Sequence, residues 1–405
     1  MNLLNFDLSC LANALERGEV TSVELTEECL RRMNMERHAA QFVSVDAEGA
    51  IAAARASDRR RAEGASLGLL DGIPFAAEDR FCVWGMETQN NCEMLRGYRP
   101  PYDAKAIQIL RDAGAVLLGK VKTDGFLSGR TEKKNIREGL VGNDGAVPFA
   151  LMAETSGSLI GQTARGAAAC ISPLVSRWGM ISCAPSFDCV GVMAGTAWDC
   201  AALMQTLNHS NDVETTIAPK NCVCSKVALL GMTRDWFPFA GAECREAELP
   251  DLEILAQAYE ILSAVESASE MAMYDGIRFG IKGEDRASVR EQAAAIRGKL
   301  FSHEEQKLIL LGTALLMDAH REGCYRAARG WREKLQRHLR DLLKDFDALI
   351  CPLSEKTSAK IALLPSLAGL SAMVCEEFLW MTIPERETDL PALVSQISLE
   401  RSVEK

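Results

Sequence analysis

The chain has no apolar run as long as the roughly eighteen residues that a membrane-spanning helix requires, so no membrane association is expected. Positive charge is in deficit: 45 Lys and Arg stand against 56 Asp and Glu, a formal net charge of −11. Such a balance disfavours a broad nucleic-acid-binding surface, because that affinity rests largely on neutralising phosphates. The start Met1-Asn2-Leu3-Leu4-Asn5-Phe6-Asp7 has neither the basic residues nor the apolar core of a secretory signal, which leads us to expect a cytoplasmic protein. Histidine is scarce, with only five in 405 residues. His38, His209, His303, His320 and His338 form no zinc motif, and Cys222-Val223-Cys224 has no matching Cys or His cluster, so no metal site is expected. No phosphate-binding glycine loop precedes a helix, and no cofactor is expected. Internal repeats and low-complexity linkers are also missing.

What remains is the composition of a globular protein, 48% apolar with 14 cysteines. The cysteines are scattered through apolar segments and read as buried thiols in a reducing compartment. Thr21-Ser22-Val23-Glu24 has the pattern of a capping box, and Leu25, Cys29, Leu30 and Met33 follow at helical spacing. An Ala- and Arg-rich helix is expected from Asp46 to Glu63. A turn then leads to a short buried strand after Gly72-Ile73-Pro74. Ala104 to Ala113 reads as a helix stopped by Gly114, and Ala115 to Lys120 as a buried strand. Trp198 to Leu207, Asp251 to Ala272 and Ser302 to Phe346 read as helical. Ser225 to Gly231 and Asp347 to Pro352 read as strands. This alternation indicates an α/β protein. A single domain is expected over 1–384, with a helical part (1–65), a central part (66–207) and a C-terminal part (208–384), followed by a polar tail (385–405).

Several ordered motifs resemble those of the amidase-signature family. Gly72-Ile73-Pro74-Phe75-Ala76-Ala77-Glu78-Asp79 is similar to its Gly-Ile-Pro-Val-Ala-Val-Lys-Asp stretch. Arg99-Pro100-Pro101-Tyr102-Asp103-Ala104, Ala113 to Lys120, Ala184 to Gly191 and Tyr274-Asp275-Gly276-Ile277-Arg278-Phe279-Gly280 resemble further segments. The nearest resemblance is to the A-subunit branch of the glutamyl-tRNA(Gln) and aspartyl-tRNA(Asn) amidotransferases. The implied fold is a mixed central β-sheet surrounded by helices. The implied partners are B- and C-type amidotransferase subunits, and the implied ligand is a small amide or carboxylate.

The family cleaves amides with an attacking serine, a relay serine and a lysine base, a variant of the logic of serine hydrolases. Glu154-Thr155-Ser156-Gly157-Ser158-Leu159 is similar to its Asp-Thr-Gly-Gly-Ser-Ile motif. The resemblance makes Ser158 the candidate nucleophile, and Thr155, Ser156 and Gly157 the residues whose backbone N–H groups would form the oxyanion hole. It also makes Tyr274 and Arg332 candidate substrate-binding residues, the arginine being suited to a carboxylate. Two elements of the chemistry depart. Glu78 stands where the family has its lysine. The glycine- and serine-rich relay motif has no counterpart between Gly129 and Ala150, where Thr131 is the only hydroxyl side chain before the segment ends. Loss of a general base typically costs about a hundredfold to ten-thousandfold.

Two readings of the activity therefore stand open. One is a catalytically degenerate protein, with a vestigial Ser158, that retains a scaffold or binding role. The other is an amide hydrolase or glutamine-dependent amidotransferase subunit that uses Ser158 with a non-standard base.

Overall fold

A computed structural model describes residues 7–127, 139–142, 144–161, 163, 167–208, 226–233, 243–284, 286–353, 358–375 and 377–384. Thr131, His209, Cys222, Cys224 and the tail 385–405 lie outside these residues.

Eleven strands among the described residues form one sheet: β1 (Phe42–Val45), β2 (Pro74–Glu78), β3 (Val116–Val121), β4 (Phe149–Glu154), β5 (Ala168–Ser172), β6 (Cys189–Ala194), β7 (Lys226–Leu230), β8 (Glu243–Ala247), β9 (Ala348–Pro352), β10 (Ser371–Cys375) and β11 (Phe378–Thr382). Their order is β1-β3-β2-β4-β6-β5-β10-β11-β9-β7-β8. Parallel pairs (β2 with β3 and β4, β7 with β8 and β9) are mixed with antiparallel ones. The central strands read as continuous apolar runs because both faces are covered; every residue of β2 to β6 is buried. Phe75 and Phe149, directly paired across β2 and β4, stack with ring centroids 5.1 Å apart.

Helices Ser22–Met33 and Ala47–Ala62 pack beside β2 and β3. The first is closed by a reciprocal capping box between Thr21 and Glu24. Leu252–Met271 packs against His303–Leu315 and Arg326–Asp345. The helical stretch expected from Ser302 to Phe346 is divided. Met317 takes an extended conformation after the first helix, and Arg321–Tyr325 forms a π-type turn before the last. No described helix is long and apolar enough to cross a membrane.

This topology sets up the site. β2 and β4 run parallel, so Glu78 and Glu154 emerge at the same end of the sheet. β6 runs antiparallel to β4 and pairs Cys189 with Glu154, which brings Asp188 to that end as well. The carboxyl ends of neighbouring strands are where open α/β sheets commonly form their ligand crevices.

Candidate active site

β4 ends in Glu154, and the next six residues curl around its carboxylate. Oε1 accepts N–H bonds from Thr155 (2.7 Å), Ser156 (2.8 Å), Gly157 (2.7 Å) and Ser158 (3.1 Å). Oε2 accepts from Leu159 (2.8 Å) and Ile160 (3.1 Å). Glu154 is fully buried, and such a set of donors calls for a group that only accepts, which an ionised carboxylate is. The chain closes this tightly because Gly157 adopts φ +78°, a conformation that costs a residue bearing a Cβ. A Cβ there would also stand 2.7 Å from the carbonyl carbon of Ala362, so the loop is packed beneath the segment that joins the last two short helices.

Ser158 opens the short helix Ser158–Gly161 and is half-buried. Among the described residues its hydroxyl makes no hydrogen bond. The three N–H groups expected to form an oxyanion hole, those of Thr155, Ser156 and Gly157, each donate to Glu154. Ser156 Oγ is buried without a hydrogen-bond partner among the described residues.

Glu78, at the lysine position, is buried in the sheet, and its Oε2 accepts the N–H of Ala153 at 2.8 Å. The next basic group is Arg80, whose buried guanidinium donates to Thr155 Oγ1 (2.8 Å), Asp188 Oδ1 (2.9 Å) and Ile181 O (3.0 and 3.1 Å). Burial acts to lower its pKa, but Cys183, Asp188 and Glu78 outweigh that and hold it above the ordinary arginine value. Asp188 also accepts from Thr155 Oγ1, Ser182 Oγ and Cys183 N. The Arg80 cation is thus bonded to the buried Asp188, lies near the buried Glu78, and is pinned to the first residue of the Glu154 loop.

Lys120, a buried amine on the neighbouring strand, faces away from Glu78. It pairs with Ala77 while Glu78 pairs with Val121, so the two side chains leave the strands on opposite faces. Its ammonium contacts Asp79 Oδ1 (3.1 Å), Thr88 Oγ1 and the carbonyl of Glu87 (3.2 Å). Burial drives Asp79 up and Lys120 down, each toward its neutral form, and the contact between them works against both shifts.

The two candidate substrate contacts have different partners. Tyr274 is buried in a second apolar cluster, against Phe126 (5.2 Å) and Phe279 (5.9 Å), and burial raises its pKa. Arg332 is half-buried, its guanidinium 4.3 Å above the Phe187 ring, and it donates to Ser186 Oγ, Ser186 O (2.7 Å) and Leu367 O (3.0 Å). Ser186 in turn donates to Glu266. Tyr274 and Arg332 share no hydrogen bond or ring contact with each other or with Ser158 among the described residues. Both candidate contacts are engaged by the protein's own atoms.

Sequence reasoning missed Glu154, Arg80 and Asp188 as members of this centre. A signal existed: each is a charged residue near the end, or just before the start, of an apolar strand. His38 is buried, and burial lowers its pKa; His320 and His338 are exposed. No group of metal-ligating side chains occurs among the described residues.

A mixed sheet flanked by helices, with a serine on a glycine-bearing loop at its strand ends, defines the class as an α/β fold. The comparisons with known proteins agree and narrow it. A family model for amidases matches residues 24–143 and 225–402. The chain is 31% identical to the A subunit of glutamyl-tRNA(Gln) amidotransferase from Chloroflexus aurantiacus, over 94% of this chain and 88% of that one. It is 30% identical to the protein of that name from Myxococcus xanthus, over 89% and 85%. Among solved structures, the native peptide amidase of Stenotrophomonas maltophilia superposes with a TM-score of 0.72 at 21% identity, covering 98% of this chain and 97% of that one. An amidase family protein from Bacillus anthracis gives 0.75 at 17% identity, covering 98% and 91%. The chain belongs to the amidase-signature family.

Proposed function

We propose that this chain is a catalytically silent member of its family, related to amidotransferase A subunits, that acts as a scaffold or a ligand- and partner-binding protein. The observation that carries this reading is the isolation of Ser158: among the described residues its hydroxyl has no group positioned to take its proton. An amide-cleaving serine needs such a group throughout the reaction, as well as donors for the oxyanion. Glu78 is bonded to the Ala153 amide, and Arg80 and Lys120 are held by buried carboxylates.

The relatives' name describes one subunit of a larger enzyme, which supports B- and C-type subunits as partners. The twelve described cysteines are all free thiols, which supports a reducing, cytoplasmic setting. A second reading, an active amidase that uses Ser158 with Glu78 as base, is favoured by the half-exposed position of Ser158 on the Gly157 turn.

A fluorophosphonate probe separates the two. The expected result is no labelling of the parent protein above that of Ser158→Ala, with Glu78→Lys unchanged from the parent. Rapid labelling of the parent that disappears in Ser158→Ala would overturn the proposal.

A further inference from the structure

Trp84 and Trp178 are 72% and 55% exposed, and backbone hydrogen bonds tie the segments that carry them into one surface. We infer that this surface is a docking platform for an acidic segment of a partner protein, with the tryptophans as anchors and Arg99, Lys105 and Arg177 as a charged rim. Such a platform deepens the partner-binding part of the proposed function, on which it rests, and is independent of whether Ser158 reacts.

Three segments build it: 82–86, 99–105 and 174–179. The Trp84 N–H donates to Asp103 Oδ1 (2.7 Å), the Ala104 N–H to Cys82 O (2.7 Å) and the Cys82 N–H to Gly179 O (2.8 Å). The Lys105 N–H donates to Trp178 O (3.0 Å), and the Tyr102 and Trp178 rings lie 4.8 Å apart. Gly179, at φ +79°, lets the third segment come so close that a Cβ there would stand 2.5 Å from Ala104 Cα. The backbone beneath the rings is therefore fixed before any partner arrives, which lowers the ordering cost of binding. Leu174, in the third segment, adds further exposed apolar area. Tryptophan, tyrosine and arginine gathered in one patch is the composition of protein-interface hot spots.

Charge selects the occupant. The exposed Arg99 donates to Gly85 O, beside Trp84, and the exposed Arg177 adjoins Trp178. Among the described residues Arg99, Lys105 and Arg177 form no ion pair, whereas the neighbouring acids are engaged. Asp103 is held by Arg111 and the Trp84 N–H, Glu87 by Gln89 and the Gly97 N–H, and Glu93 by Arg96. Glu266 and Glu270, beyond the Pro185 carbonyl that Arg177 contacts, bond to Ser186 and Ser182. The rim therefore offers positive charge on a chain of net charge −11, which calls for a negative partner. A second copy presenting the same face would set like charge against like. A nucleic acid would meet few cations and the negative field of the whole chain. An acidic segment bearing apolar side chains satisfies both the rings and the rim.

Fluorescence anisotropy with labelled synthetic peptides tests this. The probe alternates glutamate with phenylalanine and leucine; one control carries lysine for glutamate, the other serine for the apolar residues. The parent should bind the probe about tenfold or more tightly than either control. Trp84→Ala with Trp178→Ala, and separately Arg99→Glu with Arg177→Glu, should each weaken binding by about tenfold or more. Should the double tryptophan variant fail to fold, Trp84→Ala alone decides, because its ring stands mostly in water. No binding of the probe, equal binding of the lysine peptide, or an affinity unchanged by either set of substitutions overturns the inference. Oligothymidylate bound more tightly than the probe, and lost in the same variants, would assign the face to nucleic acid. A parent dimer in sedimentation that Trp84→Ala dissociates would assign it to a second copy, and either result overturns the acidic-segment assignment. Probe labelling of Ser158 would sink catalytic silence while leaving the peptide comparison intact, and a failed peptide comparison leaves the labelling result untouched.

Discussion

Replacing Arg80 with methionine removes a buried cation that is bonded to Asp188 and lies near Glu78, while keeping much of its apolar stem. The guanidinium makes four contacts, to Thr155, Asp188 and twice to Ile181 O. Its loss leaves Asp188, among the described residues, with Thr155, Ser182 and the Cys183 amide, and takes the Arg80 charge away from Glu78. Breaking a buried pair from one side costs about 3–5 kcal/mol, because the charge left behind is uncompensated. At about 2.1 cal/mol/K per residue, a 405-residue chain has an unfolding entropy near 0.85 kcal/mol/K. The expected drop in Tm is therefore about 4–6 °C. Asp188→Asn leaves Arg80 with Thr155 and Ile181 and should cost roughly 2–4 kcal/mol. In the double variant neither charge is stranded, so the combined loss should fall short of the sum by at least ~1.5 kcal/mol. Urea unfolding of the four proteins measures this coupling directly. Additivity within ~0.5 kcal/mol, or an Arg80→Met melting temperature within about 1 °C of the parent, would refute the claim that this cation organises the site.

Two further outcomes follow from local physics. Burial raises the Asp199 carboxyl to about 6 from 3.8, against the hydrogen bonds it accepts from the Leu8 N–H and from Thr196. The folded protein therefore keeps a proton that the unfolded chain releases, so this contribution is full at and below about pH 4 and is lost as pH rises through 6. The loss is about 3 kcal/mol, and Asp199→Asn, which retains an acceptor for Leu8, should flatten it. Parallel stability–pH profiles for the two proteins would count against the raised carboxyl. Gly157→Ala meets both a φ of +78° and the Ala362 carbonyl carbon at 2.7 Å, so it should lose at least ~2 kcal/mol in urea unfolding. A neutral result would mean that the loop is not pinned there.

The elements that sequence made visible are those with strong local signals. The Thr21 capping box, the Ala104 to Ala113 helix and the apolar runs of β3, β7 and β9 all stand within a residue or two of expectation. The strands β10 and β11 were not legible. Ser371 to Thr382 is interrupted only by Glu376 and Glu377, and its place between β5 and β9 is fixed by pairing partners some 200 and 30 residues away. The exposed β8 strand, Glu-Cys-Arg-Glu-Ala, lacks the apolar alternation that periodicity can detect. The site divides in the same way. Ser158 and its loop were legible through a contiguous motif, whereas the link from Arg80 to Asp188 spans 108 positions and exists only because β2, β4 and β6 are neighbours.

That non-local link changes the meaning of the acid at position 78. Taken alone, Glu78 is a lysine lost, and a single reversal would repair it. In the folded chain it lies near a buried arginine, and a lysine there would face like charge and be pushed toward its neutral form. Neutral is the state a lysine base requires, so on the proposed reading position 78 is the most easily restored part of the centre. The harder obstacle is the loop itself. Its N–H groups are already committed to Glu154, and Ser158 has no relay among the described residues. On the proposed reading, the departures from the family's motifs sit at separate points of the reaction: proton removal, proton relay and charge stabilisation. Since these act together in a working enzyme, restoring one of them recovers little while the others remain unmet. The same buried charges also tie β2, β4 and β6 together at their ends, which is what the proposed scaffold role asks of them.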